Sequence, residues 1–197
     1  MIAYVSGTVV HKDPAYAIID VNGLGYELKI SLQTYAALPE KGVRCKLVTY
    51  LSIREDAHVL FGFWAEEEKK LFLDLIGVSG VGPSTALVML SSFSSEEIMK
   101  GIAEEDVRLI QSIKGIGSKT AQRVILELKD KMKKEAISLN ADFRTSDGTS
   151  ARIRNEAMAA LVTLGIPKAT AEKSIDSIIK REGSGITVEQ LIKLALR

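Results

Sequence analysis

Apolar and polar positions change their rhythm along the chain, and each change marks a different kind of structure. Over residues 1–63 the runs are short and rich in alternating β-branched and aromatic residues. Ile2–Lys12 and Ala15–Val21 flank Asp13-Pro14, and Asn22-Gly23 then leads into Gly25–Ile30. Such runs bounded by turn dipeptides predict strands, and Asn-Gly predicts a tight hairpin. Ser31 is placed to cap a short helix over Ser31–Leu38, Pro39-Glu40-Lys41-Gly42 reads as a loop, and Val43–Ile53 and Val59–Trp64 make the last two strands. Five short strands with a helix after the third predict a small closed barrel of the OB type. From 64 to 134 the period is helical. Glu66–Ile76 aligns Leu71, Phe72, Leu75 and Ile76, and Ser94-Ser95-Glu96-Glu97 has the form of a capping box opening a helix to about Ile102. Glu104–Ser112 follows, and Ser118–Lys134 is the longest predicted helix. Residues 135–150 are polar, rich in Gly, Ser and Thr, and lose the period, which predicts a flexible linker. Residues 151–197 recover it as three short helices: Arg152–Leu164 stopped at Gly165, a second from Pro167 to about Arg181, and a last one after Gly183-Ser184-Gly185 opened by Thr187-Val188-Glu189-Gln190. The expected class is α+β and multidomain: a barrel over 1–63, a helical domain over 64–134, a linker over 135–150 and a three-helix module over 151–197.

Within the helical stretch one pattern occurs twice. Leu75–Leu90 reads LIGVSGVGPSTALVML and Ile110–Ile125 reads IQSIKGIGSKTAQRVI; Gly80-Val81-Gly82 aligns with Gly115-Ile116-Gly117 at an offset of 35 residues, and Thr85-Ala86 aligns with Thr120-Ala121. Each copy is an apolar helix, a Gly-apolar-Gly turn and a second helix, the helix-hairpin-helix pattern of DNA-binding proteins. Glycine suits a backbone that takes positive φ or approaches another surface closely. Val81 and Ile116, between the glycines, are expected to point inward and pin the turns. The helix that follows begins with N–H groups lacking an internal partner at the positive end of its dipole, which is a site for an anion. Phosphate is the anion that two such sites in register suggest. Pro83 fits the first helical position, where its missing N–H costs nothing. One such turn alone would often be only a tight connection between helices.

Charge sharpens this picture through its distribution. The net charge is only +1, so the chain is no generic basic coat for DNA. Residues 64–106 carry 3 Lys/Arg and 9 Asp/Glu, a net of −6, whereas residues 107–134 carry 8 and 2, a net of +6. The second hairpin lies in the basic half, and the acidic half reads as ordinary solvated helix faces. A content of 46% hydrophobic and 26% charged residues fits a globular chain, and no apolar run approaches the ~20 residues of a membrane helix. The N-terminus lacks the layout of a signal peptide, and the single cysteine, Cys45, excludes an intrachain disulfide framework. Both features predict a cytoplasmic protein, with Cys45 as a core residue.

Between the last two predicted strands lies Arg54-Glu55-Asp56-Ala57-His58. Adjacent carboxylates at a hairpin tip have three readings: a solvated polar turn, part of a metal site, or a repulsive element that keeps phosphates away. A metal site needs several convergent oxygen ligands, and nothing nearby in the sequence supplies the others. A helix-hairpin-helix nuclease or glycosylase would need a nucleophile or a carboxylate cluster, and neither is visible. No G-x-x-x-x-G-K-[ST] phosphate loop occurs either.

Taken together, the order of parts resembles the RuvA family, the Holliday-junction-binding subunits of the bacterial branch-migration complex. The resemblance covers essentially the whole chain. It rests on Arg54-Glu55-Asp56-Ala57 followed by Leu60-Phe61-Gly62-Phe63, on Gly80-Val81-Gly82-Pro83, and on Gly115-Ile116-Gly117-Ser118-Lys119-Thr120-Ala121. It implies that Glu55 and Asp56 form an acidic pin at the junction centre, with DNA contacts at Arg54, Gly80, Val81, Gly82, Ser84, Gly115, Ile116, Gly117, Ser118, Lys119 and Arg123. It also implies a homotetramer, with room for a double tetramer on DNA, and a UBA-like C-terminal module over 151–197 that docks the RuvB ATPase. The RuvC resolvase would be a further partner. No cofactor, no metal and no catalytic site in this chain are implied. Family members often carry a basic residue where this chain has Ser84, and another where it has Ser118; Lys119 keeps one positive charge on the second hairpin.

Overall fold

The computed structural model describes residues 1–142, 148–183 and 186–196 and forms two compact units, Met1–Ala136 and Ile137–Arg197. In the first unit, strands β1 (Tyr4–Lys12), β2 (Tyr16–Val21), β3 (Leu24–Lys29), β4 (Arg44–Ile53) and β5 (His58–Phe63) close into a barrel in the order β1-β2-β3-β5-β4. Helix α1 (Leu32–Ala37) is inserted after the third strand, as expected. The Asn22-Gly23 turn takes φ of 54° and 91°, the left-handed pair that a two-residue hairpin requires. Ser31 caps α1 by accepting a hydrogen bond from the Thr34 N–H. Inward-facing Val5, Val9, Ile19, Leu28, Leu47 and Leu60 fill the barrel, together with Cys45, whose thiol pKa is raised by burial.

Strand β5 is buried on both faces. Leu60 points into the barrel, whereas Phe61 and Phe63 belong to the core of the helices that follow. Both pack on Phe72 of α2 (Glu66–Gly77), with ring centroids 5.2 and 4.9 Å apart. Around that core stand α3 (Pro83–Ser92), α4 (Ser95–Ala103), α5 (Val107–Gln111) and α6 (Ser118–Asp142). The Ser94/Glu97 capping box is formed at α4. Glu104–Ser112 is not one helix. Helix α4 ends in a Schellman pattern, Asp106 N–H to Gly101 C=O and Glu105 N–H to Ile102 C=O, with Glu105 at φ 62°, and Asp106 then caps α5.

Helix α6 continues past Lys134 to Asp142, and α7 (Gly148–Thr163) begins before Arg152, so helix occupies both ends of the stretch expected to be a linker. Its middle, 143–147, lies outside the described residues, as do Ser184 and Gly185. In the second unit α7 packs on α8 (Lys168–Glu182) and α9 (Val188–Ala195) around Ala157, Leu161, Ala171, Ile175 and Leu191. The Thr187/Gln190 capping box opens α9, and Arg154 of α7 is tied to Asp176 and Glu172 of α8. No described helix is long and apolar enough to cross a membrane.

Candidate nucleic-acid interface

The two Gly-apolar-Gly turns are built alike, down to their hydrogen bonds. The Val81 N–H donates to the Val78 carbonyl at 3.0 Å, and the Ile116 N–H to the Ile113 carbonyl at 3.1 Å. Each turn has its positive φ at the third residue, Gly80 at 95° and Gly115 at 89°, the position where a type II turn requires glycine. Val81 and Ile116 are 5% and 6% exposed, so they pin the turns from inside. With side chain and N–H both engaged, what they offer a ligand is the shape of the turn. Equivalent positions are buried in both copies: Leu75 with Ile110, Ala86 with Ala121 and Met89 with Val124.

The second glycines have a different role from the first. Gly82 has φ −89° and ψ 169°, extended backbone that any residue adopts, and Gly117 also lies outside the left-handed region. A Cβ on either would meet no atom within 4 Å. Substitution at these two positions therefore does not strain the turns; strain belongs to Gly80 and Gly115. Gly82 and Gly117 leave open space in front of the helix starts, which is the space a phosphate needs. Gly82 provides α3 with no side-chain cap, and Pro83 at its first position has no N–H. The first N–H groups of α3 are then those of Ser84 and Thr85, and those of α6 belong to Ser118, Lys119 and Thr120.

The hairpins touch each other. Arg123 Nη1 of α6 donates to the Ser79 carbonyl at 3.2 Å and to Ser79 Oγ at 3.0 Å in the first turn. A Cβ built on Gly80 would lie 3.9 Å from Thr120 Oγ1. Ser84, Ser118, Lys119 and Arg123 are all exposed. Arg54, Glu55, Asp56 and Ala57 form the exposed tip between β4 and β5, closed by the Arg54 N–H bonding to the Ala57 carbonyl at 2.9 Å. Arg54, Asp56 and Ala57 line a cleft of about 510 Å³ that Pro83 and Ser84 also line. The fold thus brings the acidic tip and the start of the first hairpin's second helix onto one cleft. Among the described residues no three His, Cys, Asp or Glu converge as a metal ion would need.

The charge halves found in the sequence are partly spent on each other. Lys131 pairs with Asp74, and Lys129 and Lys133 pair with Glu105 at 3.6 and 3.2 Å. The Lys133 hydrogen bond, followed by the charges of Lys129 and Lys133, holds the Glu105 carboxyl below its ordinary range. Glu68 is 5% exposed, not solvated. The acidic half is therefore not simply a solvated face, which corrects the sequence reading. Of the basic half, Lys114 and Lys119 form no ion pair among the described residues, and both lie at the second hairpin.

Three family models account for most of the chain: RuvA N terminal domain over residues 1–62, SAM-like Helix-hairpin-helix tandem over 72–130, and RuvA, C-terminal domain over 152–197. A protein of Cytophaga hutchinsonii named Holliday junction branch migration complex subunit RuvA is 52% identical over 198 residues, covering 100% of this chain and 99% of its own. The chain belongs to the RuvA family. Proteins of the same name from Amoebophilus asiaticus and Neisseria meningitidis are 48% and 40% identical, each covering 100% of this chain and 100% and 98% of their own lengths. The closed five-stranded barrel followed by helical parts matches the layout of the family models.

Sequence reasoning missed one residue at the hairpins and one buried carboxylate beneath α1. Ser79 gave no signal beyond its place in the turn; its counterpart 35 residues on is Lys114. Glu68 was hidden in the run Glu66-Glu67-Glu68, because which of three adjacent carboxylates is buried depends on what packs above the helix.

Proposed function

We propose that this chain binds four-way DNA junctions by structure and not by sequence, as a homotetramer, and recruits the RuvB ATPase through residues 151–197. The observation that carries this reading is the pair of hairpins in register, joined by Arg123 to Ser79, with the acidic tip on the same cleft as Ser84. Membership of a family named for Holliday junction branch migration supports it.

The mechanism follows from the groups available. The hairpins offer backbone N–H groups, serine hydroxyls and Lys119 to phosphates. These contacts position a duplex without reading bases, so DNA can be drawn past them. Arg54, Ser84, Ser118 and Lys119 hold the DNA backbone on turns shaped by Gly80-Val81-Gly82 and Gly115-Ile116-Gly117, while Glu55 and Asp56 act as a pin. Unit charges ~4 Å apart interact by ~4 kcal/mol at an effective dielectric of ~20 and by ~1 kcal/mol in water. The tip is exposed, so the lower figure applies until DNA displaces water, and salt confines the effect to ~8 Å. Two carboxylates per chain, repeated around a four-fold axis, then keep crossing strands apart at the centre. The work of migration comes from the partner ATPase.

A paired titration of a four-way junction and a linear duplex at fixed salt tests this. The unmodified chain should prefer the junction. Glu55→Gln with Asp56→Asn should bind the junction at least as tightly and discriminate less against duplex, because the repulsion that penalises a continuous helix is gone. Equal affinity of the unmodified chain for both DNAs, or a large loss of junction affinity in the neutralised variant, would refute the junction or the pin reading respectively. Lys119→Ala should weaken binding and reduce the slope of log affinity against log salt by about one contact. An unchanged slope would mean that Lys119 touches no phosphate.

A further inference from the structure

Lys119 and Arg123 are four residues apart and share one face of α6, and the resemblance places both among the DNA contacts. The geometry points to a different role for Arg123: we infer that it is a positioning residue that locks the central peptide of the first hairpin's turn and sets the two hairpins as one unit. This rests on the proposal that the hairpins hold phosphates.

The turn runs Val78-Ser79-Gly80-Val81, and its central peptide joins Ser79 to Gly80. A type II turn and its type I alternative differ by rotation of that peptide, which reverses its carbonyl and N–H. Arg123 Nη1 holds the Ser79 carbonyl at 3.2 Å and the Ser79 hydroxyl at 3.0 Å. A rotated peptide would lose the first bond, and the Gly80 φ of 95° would have to change with it. The clamp reaches 44 residues along the chain, from the second hairpin's helix to the first hairpin's turn. Thr120, one turn earlier on α6, lies on the same side: a Cβ built on Gly80 would come within 3.9 Å of its Oγ1. The second hairpin's turn has Lys114 where the first has Ser79, so it is a matched turn in which the clamped residue is replaced.

Amide hydrogen exchange and salt-dependent junction binding test this together in Arg123→Ala and Arg123→Gln. Glutamine keeps an N–H donor and removes the charge. In Arg123→Ala the Val81 amide, which closes the first turn, should exchange roughly fivefold faster or more, while the Ile116 amide of the second turn stays unchanged. Junction affinity should fall roughly three- to tenfold with the salt slope intact, and Arg123→Gln should recover most of both effects. A slope reduced by about one contact in both variants would make Arg123 a phosphate ligand and overturn the inference. Unchanged exchange at Val81 in Arg123→Ala would overturn it independently of DNA. Failure of the junction reading shows separately, as an unmodified chain that does not prefer the junction.

Discussion

A chain carrying Gly82→Val and Gly117→Val should fold normally and lose junction affinity by roughly a hundredfold or more. Neither position needs the left-handed region, and a Cβ at either meets nothing within 4 Å, so the protein itself has room for the new side chains. The N-cap preference lost at Gly82 is worth about 1 kcal/mol at most. The valine methyl groups instead occupy the space before the first N–H groups of α3 and α6. Charge-assisted hydrogen bonds are worth ~1.5–3 kcal/mol each, and ~1.4 kcal/mol is tenfold in affinity, so closing two sites yields the stated loss. Gly80→Val with Gly115→Val should behave in the opposite order. At φ of 95° and 89° a β-branched residue is strained by ~1–3 kcal/mol, so this variant should melt earlier than its counterpart before any DNA is added. Thermal melting and junction titration of the two double variants side by side make the comparison. If Gly82→Val with Gly117→Val bound junctions as tightly as the parent, phosphates would not approach the hairpins at the second glycine.

Glu68→Ala should lower the stability of the first unit by about 2–4 kcal/mol. Its carboxylate is 5% exposed and accepts hydrogen bonds from Ser31 Oγ and, at 2.6 Å, from Thr34 Oγ1. Thr34 Oγ1 in turn accepts from the Trp64 N–H at 3.0 Å, and Ser31 Oγ accepts from the Thr34 N–H at 3.0 Å. Both hydroxyls are fully buried, so removing the carboxylate strands two donors away from water. The melting temperature should drop by roughly 10 °C, at a few degrees per kcal/mol for a unit of this size. Glu68→Gln keeps the shape and one acceptor and should lose well under half of that. A melting temperature for Glu68→Ala within a degree or two of the parent would mean that the network contributes nothing. Because the network joins α1 on the barrel to α2 on the helical side, the same variant should also blunt the preference for junction over duplex.

Features governed by neighbours a few residues apart were legible in the sequence. The Asn22-Gly23 turn, the Ser31 cap and the capping boxes at Ser94 and Thr187 each close within four residues, so the local pattern contains both partners. The repeat was legible for a related reason: two copies of one packing solution bury the same positions, and an offset of 35 residues exposes them without knowledge of the fold. What escaped were bonds between residues far apart in sequence. Arg123 finds Ser79 across 44 residues, Lys131 finds Asp74 across 57, and Glu68 finds Ser31 across 37. Charge counting placed Lys129, Lys131 and Lys133 in a basic face, but only the packing of α6 against α2 and the end of α4 shows that they are neutralised. Glu105 escaped too, because the left-handed position that ends a helix favours glycine and here holds a glutamate fixed by two lysines.

Strand β5 lends one face to the barrel and the other to the helices, and it also carries one side of the acidic tip. It therefore works as a common ruler. Any tilt of the helices that moved the hairpins along a DNA arm would drag Phe72 across Phe61 and Phe63, and with them the strand whose end carries Asp56 and Ala57. Close-packed rings resist such sliding, since even small gaps forfeit contact energy. The spacing from tip to hairpin is thus a fixed length built into the molecule, and a junction must be bent and spread to suit it. It follows that barrels and hairpins cannot be traded between relatives at the boundary near residue 62, because a cut there runs through the strand that sets the scale.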